Sequence, residues 1–321
     1  MQKFLGIFLF FCCFVILLFD TSSFSYIAAI KNLFLHFFNG AKLSAEGMIL
    51  YEIRLPRVLL ALLVGASLSG CGAIMQNIFR NPLVDPFLLG ISSGAAFGCA
   101  LCIGFFSGYW VGGFAFLGAI ISAFLILFFA RFSKNSSISL ILIGVIFSSF
   151  LSAFSGLIKY FVAPDKAQAI VIWLLGSLSL ATWNDVFLVF FAGLIGFIPL
   201  FLLRFKINIL ALSDLEALSL GVNPNILKIC CIVLISFICG IVVSVSGTIG
   251  WIGLIVPHFA RVFVGSNMRT LLPTSMLLGA IVLLFMDFLA KNISSNDLPV
   301  GALSAIVGAP LFLTFLFLRK Y

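Results

Sequence analysis

The stretch KICCIVLISFICGIVVSVSGTIGWIGLIVPHFAR, residues 228–261, opens one apolar run at 228–248 and a shorter one at 252–265. The first is long enough to cross a bilayer as a helix, which takes about 20 apolar residues for roughly 30 Å of hydrocarbon. The second is too short to cross straight and carries Pro257, His258 and Arg261. That combination predicts a broken helix buried among others, because irregular backbone at membrane depth is tolerated only where protein covers it.

Outward from this stretch the pattern repeats. Apolar runs bounded by charged, Pro or Gly-rich breaks fall at 3–20, 58–79, 87–107, 111–131, 138–158, 186–204, 272–290 and 300–318. With the two above they predict an all-α integral membrane protein of about ten transmembrane helices, one of them short and broken. Composition agrees: 63% of the 321 residues are hydrophobic and 9% charged, with a mean hydropathy of +1.30, against about 25% charged in a soluble domain. The chain reads as a single polytopic domain over 1–321. Its first run, after Lys3, resembles a signal or an anchor; 20–24 offer no small-x-small cleavage site, which favours an uncleaved anchor.

An even number of spans puts both termini on one side. With the termini inside, eleven basic residues fall on cytoplasmic ends and seven outside, the direction the positive-inside rule sets. The net charge of +8 is scattered between apolar runs, which argues against a nucleic-acid partner and for a membrane-protein bias with lipid as neighbour. The eight cysteines all lie in apolar stretches; Cys99 and Cys102 form a CxxC with no second pair or nearby His, so no metal site is expected. No Gly-Lys pair occurs, which excludes the Walker A phosphate loop. Gly90-Ile91-Ser92-Ser93-Gly94 matches the GxSxG elbow, but its flanks are helical and the only histidines are His36 and His258. No catalytic residue is expected. Gly90, Gly94 and Gly98, like Gly104, Gly108 and Gly112, recur at the four-residue spacing that lets helices approach. The apolar runs are almost free of ionisable residues, which speaks for a gated path driven by a partner rather than a secondary carrier or channel working alone.

Four blocks carry more. The first joins Arg54-Leu55-Pro56-Arg57 through Met75-Gln76 to Arg80-Asn81-Pro82-Leu83-Val84-Asp85-Pro86 and Gly90. The second is Trp173-Leu174-Leu175-Gly176, the third Ser246-Gly247 through Gly253 and Pro257-His258 to Arg261, and the fourth Leu298-Pro299-Val300-Gly301 with Pro310. In this order they resemble the iron-siderophore, haem and vitamin B12 permeases of bacterial ABC importers, from about residue 50 to the end. Asp297 stands where a Glu is usual, and Ser246 and Thr248 replace a small residue and a Pro around Gly247.

The resemblance implies a type II importer permease in the bacterial cytoplasmic membrane. Its partners would be a second copy or close homologue, two cytoplasmic ATPase subunits and an extracytoplasmic binding protein. ATP and Mg would belong to the ATPase, with no cofactor on this chain. The path would be lined by the helix near 138–158, the turn at Trp173–Gly176 and the final helix. Iron chelates, as ferric siderophores or haem, are the first substrate expectation and cobalamin the second. Arg54, Arg57 and Lys291 are candidates to receive acidic residues of the binding protein, with lipid head groups or Glu52 as the alternative. The amphipathic segment 213–222, with Asp214, Glu216, Ala217, Leu220 and Gly221, is the candidate ATPase-coupling loop. His258 is read as a packing residue.

Overall fold

A computed structural model of the chain describes residues 42–318 except 107, 134–136 and 295–296, with isolated earlier positions at 2, 6, 8, 31, 32 and 35. The apolar run expected at 3–20 falls almost wholly outside the described residues, as do Lys3, Lys134, Arg319 and Lys320.

The described chain is helical. In order the helices are α1 (Ala45–Ile78), α2 (Ile91–Phe105), α3 (Val111–Ala130), α4 (Ser137–Phe161), α5 (Pro164–Leu174) and α6 (Trp183–Leu202). There follow α7 (Arg204–Ile209), α8 (Asp214–Ser219), α9 (Pro224–Ser246), α10 (Ile252–Val264), α11 (Met268–Ile293) and α12 (Val300–Leu318). Six of these are long and apolar enough to cross a membrane, and α2, α10 and most of α12 are shorter apolar helices. The expected spans from 58 onward thus all appear as helices. Two elements were not expected: α5, whose first turn carries Asp165 and Lys166, and the six-residue α7.

α1 begins well before the expected residue 58. Its first turns pass through a π-helical segment, Ile49–Arg54, just ahead of Pro56. Proline gives no N–H to the ladder and crowds the preceding turn, so a change of hydrogen-bond register there lets the helix continue. α1 then forms the centre of the bundle, packed on α11, α10, α9 and α6. Nearly every residue from Val64 to Ile78 is buried, which explains a helix apolar on all sides.

Glycines set the closest helix approaches. Gly65 of α1 abuts Gly279 of α11, and a Cβ on Gly72 would strike the Gly253 carbonyl of α10. Gly94 of α2 abuts Gly118 of α3, and Gly98 meets the Phe114 carbonyl, so the first glycine series packs α2 on α3 as its spacing suggests. The second series is divided among the end of α2, the α2–α3 turn and the start of α3. α4 lies at the edge, with only 17% of its most apolar window buried. α12 packs on α11 and α10.

Candidate functional site

At one end of the bundle, three charged side chains from three segments meet. Arg57, near the start of α1, donates from Nε and Nη2 to Asp287 of α11 at 2.9–3.1 Å. Its Nη1 donates to Asp297, in the link to α12, at 2.5 Å. The Arg57 and Asp287 side chains are 12% and 6% exposed, and Asp297 is 35% exposed. A planar guanidinium can grip one carboxylate with two nitrogens and keep a third for another acceptor, which Lys could not do. Arg57 is therefore a tie between α1, α11 and the α12 link, not an outward-pointing docking cation. Arg54 and Lys291 flank it, both partly exposed. Asp287, an acid inside the apolar run 272–290, thus has Arg57 as its partner.

Below this triad, the second, third and fourth blocks converge. Ser177 N donates to Ser246 O at 2.9 Å and Gly301 N to Gly176 O at 3.3 Å. The Thr248 hydroxyl donates to Leu174 O, and Ser304 Oγ reaches Gly250 O at 3.2 Å. Gly176, Gly247 and Gly301 are so close here that a Cβ on any of them would meet backbone of the facing segment. Gly176 and Gly247 also have φ of 69° and 66°, the left-handed region in which a side chain is strained. Thr248, a departure from the family pattern, thus gains a bond that Pro could not make. Past this contact Trp251 opens α10 at φ 71°, a conformation uncommon outside glycine. The first block reaches the same place from the other side, since Gly253 packs against Pro86.

Two cavities flank this junction. One, of about 470 Å3, is lined by Ile172, Trp173, Ser177, Ser246, Asp297 and Pro299 among others. The other, of about 440 Å3, is lined by Asp85, Ser92, Ser148, Ser149 and Trp251 among others. They bring the Trp173 turn, the α12 link and α4 to the same junction, and neither is lined by a Lys or Arg. Asp85 lies in the α1–α2 link and caps a short 3-10 turn by accepting from Phe87 N at 2.8 Å. Burial pushes its carboxyl up to about 6, against the pull of that bond. Gly90 ends the turn in the left-handed conformation.

The opposite end carries α8. Ser213 and Glu216 form a reciprocal capping box at its start. Asp214 accepts from Arg80 at 2.6 Å and from Lys228 at 3.3 Å, while Arg80 Nε also holds Leu210 O at 2.8 Å. Burial raises the Asp214 carboxyl, but the bond from Arg80 and the charge and bond of Lys228 outweigh it and hold it below its ordinary value. Ala217 is buried against the body, so it is an internal contact and not part of an outer surface. Leu215 is 81% exposed and Leu218 53%, with Leu220 beside them. Gly221, at φ 74°, ends the helix in a Schellman-type turn, with Val222 N bonded to Ala217 O and Gly221 N to Leu218 O.

Between the ends, Gln76 donates to Leu254 O at 2.9 Å and accepts from Arg261 at 3.1 Å, which fixes α10 to α1. Pro257 and His258 are buried in α10, with the His258 ring edge-on to Phe312, while Pro310 is exposed on α12. Among the described residues no cluster of His, Cys, Asp or Glu could hold a metal ion.

Six helices long and apolar enough to cross a membrane, a close-packed junction between two cavities and a short amphipathic helix with exposed leucines at one end define a polytopic membrane protein with room for a path through it. Comparison with known proteins agrees. Residues 8–319 match the FecCD transport family. The chain is 55% identical, over 90% of its length and 87% of the relative's, to the "probable iron chelatin transport system permease protein" of Helicobacter pylori strain 26695. It is 39% identical to the molybdate import system permease protein MolB of Haemophilus influenzae, covering 83% of this chain and 80% of that one. Among solved structures, an inward-facing conformation of a proposed metal-chelate type ABC transporter superposes with a TM-score of 0.88 at 35% identity, covering 98% of both chains. The chain belongs to the FecCD transport family and is a transmembrane permease subunit.

Proposed function

We propose that this permease imports an iron chelate, a ferric siderophore or haem, across a bacterial cytoplasmic membrane. It would act as one of two permease copies, with two cytoplasmic ATPase subunits and an extracytoplasmic binding protein. The observation that carries the reading is the lining of the two cavities around the junction. Apolar and hydroxyl side chains with two carboxylates, and no cation, suit a bulky chelate with an apolar shell and disfavour a bare oxyanion, which would need donors or positive charge in place of its water. The high identity to the Helicobacter pylori permease supports the same choice. The Ser177–Ser246 and Gly176–Gly301 contacts act as the outer gate in this reading.

Arg54 and Lys291 are the groups that receive the binding protein's carboxylates, and Arg57 supports them by holding α1, α11 and the α12 link together. α8 presents Leu215, Leu218 and Leu220 to the ATPase. Both termini then lie on the cytoplasmic side. The complex reconstituted in proteoliposomes with its ATPase and binding protein tests this: ATP-dependent uptake of a labelled ferric chelate is expected. Uptake of cobalamin or molybdate in preference to any iron chelate would overturn the substrate reading.

A further inference from the structure

One short connection contributes to the walls of both cavities at the junction. Ser246 and Gly247, at the end of α9, line the cavity that holds Trp173 and Asp297. Gly250 and Trp251, just before α10, line the one that holds Asp85. A solute moving directly between the two spaces has to displace residues 247–251. Thr248 and Ile249, in the middle of the connection, are fixed in the junction, the first by its bond to Leu174 O and the second by complete burial.

Trp251 is the strained point of this connection. It has φ 71° and ψ −32°, and the Ile252 N–H donates across it to Gly250 O at 2.9 Å. That is a three-residue turn close to the γ form with positive central φ, which is rare and strained for a residue with a Cβ. Arg80 also has positive φ, but it lies just past the end of α1, where a left-handed residue commonly closes a helix. Trp251 instead precedes a helix, where the capping residue is ordinarily extended. Helix capping therefore does not account for its backbone, and its neighbours must hold it. On one side Gly250 O accepts from Ser304 of α12 at 3.2 Å and Thr248 is bound to the Trp173 turn. On the other, Trp251 O accepts from Ile255 N of α10 at 2.8 Å. The closed junction and α10 thus grip the two ends of a strained turn. Space for movement lies beside it: a void of about 40 Å3 between α10, α11 and α12, lined by Trp251, Ile255, Val282, Met286 and Gly308 among others. It is far too small for a chelate, and its wall is apolar but for Ser304 and the indole.

We propose that Trp251 is the hinge of the outer gate: the closed junction holds its backbone in the strained turn, and parting of the junction lets the turn relax and carries residues 247–250 away from the start of α10. This rests on the reading of the junction as the outer gate and adds the residue about which it moves. Strain confined to the closed form favours opening. Glycine adopts the turn without strain, so Trp251→Gly should keep the gate closed, whereas Trp251→Ala retains the Cβ and the strain. Both variants lose the ring, and the difference between them reads the backbone alone. The test uses the complete transporter in proteoliposomes loaded with ATP, with binding protein and a membrane-impermeant maleimide outside. The reporter is Ser246→Cys, at a position 2% exposed, with the exposed Cys230 replaced by Ser and the labelled position identified by mass spectrometry. Labelling of residue 246 should require turnover, persist in Trp251→Ala, and fall about fivefold or more in Trp251→Gly relative to Trp251→Ala. Trp251→Phe, which keeps ring and strain, supplies the same comparison where the alanine variant does not fold. Equal or faster labelling in the glycine variant, with turnover-dependent labelling in the parent, would overturn the hinge and leave the gate reading standing. No turnover-dependent labelling in the parent would overturn both. Chelate uptake followed in the same vesicles separates out a failed substrate reading, which would leave the labelling pattern unchanged.

Discussion

Arg57 shows what a single side chain contributes when it is buried with two carboxylates. Removing charge from water costs several kcal/mol per ion, and the pair repays this only with close geometry and full hydrogen bonding. Three bonds to Asp287 and one to Asp297 meet that condition. Truncating one partner strands the other, so Asp287→Ala should destabilise the protein by about 3–5 kcal/mol. Arg57→Lys should cost less but still lower the unfolding temperature, because a single ammonium nitrogen cannot grip Asp287 with two nitrogens and reach Asp297 with a third. Replacing both as Arg57→Met with Asp287→Leu should recover most of the loss. Thermal unfolding in detergent checks the series, and a double variant as unstable as the sum of the singles would show that the two groups do not act as a pair. The motif Arg-Leu-Pro-Arg was plain in the sequence, yet its second arginine's true neighbour was not. Asp287 lies 230 positions away, and nothing in the local pattern says which face of α11 meets which face of α1.

α8 is an element that could not stand alone. Six residues are far below the length at which an isolated helix holds in water. The Ser213 cap adds about 1 kcal/mol, and the rest comes from Arg80, Lys228 and the burial of Ala217. This division separates two kinds of substitution. Leu215→Asp with Leu218→Asp should leave the permease folded and reduce substrate-driven ATPase activity about tenfold or more. Ala217→Trp should instead lower the yield of folded protein, since the added ring has no room. If the leucine variant retained full coupling, the exposed face would not be the ATPase contact. The Asp214 tie also fixes a pH dependence. A carboxyl held below its ordinary value stabilises at every pH above the unfolded value of about 3.9 and loses that contribution as pH falls through the folded value. A spin label at Ser219→Cys should therefore stay immobile from neutral pH to about pH 4 and loosen below it. Asp214→Asn should show a mobile label at all pH values, and a label that loosens near neutrality would contradict the assignment to Asp214. The amphipathic segment was legible in the sequence because its polar and apolar residues alternate at helical spacing. Which residues face inward was not, and so Ala217 and Gly221 were grouped with the exposed leucines although one is packed inside and the other closes a turn.

Across the described residues, the apolar runs gave the positions and order of the apolar helices, of which six are long enough to span and three are shorter, because a lipid-facing or buried helix must be apolar along its length. α5 escaped notice since Asp165 and Lys166 interrupt its run, and the Lys166 ammonium instead caps α2 by donating to Gly104 O at 2.8 Å. The four motif blocks were visible as separate strings. Their meeting place was not, because it depends on glycine-to-backbone approaches between segments far apart in the chain. That meeting place is where motion must occur if the junction is the outer gate. A backbone hydrogen bond of 2.9 Å joins Ser177 to Ser246, which sets their Cα atoms near the roughly 4.4–6.8 Å that a disulfide spans. Cysteines at both positions, with the exposed Cys230 replaced by Ser, should cross-link on oxidation. Uptake in proteoliposomes should then stop and return on reduction, because passage of a chelate requires these segments to part. Full uptake by the oxidised 177–246 pair would mean that the substrate passes elsewhere and that the glycine contacts are packing alone.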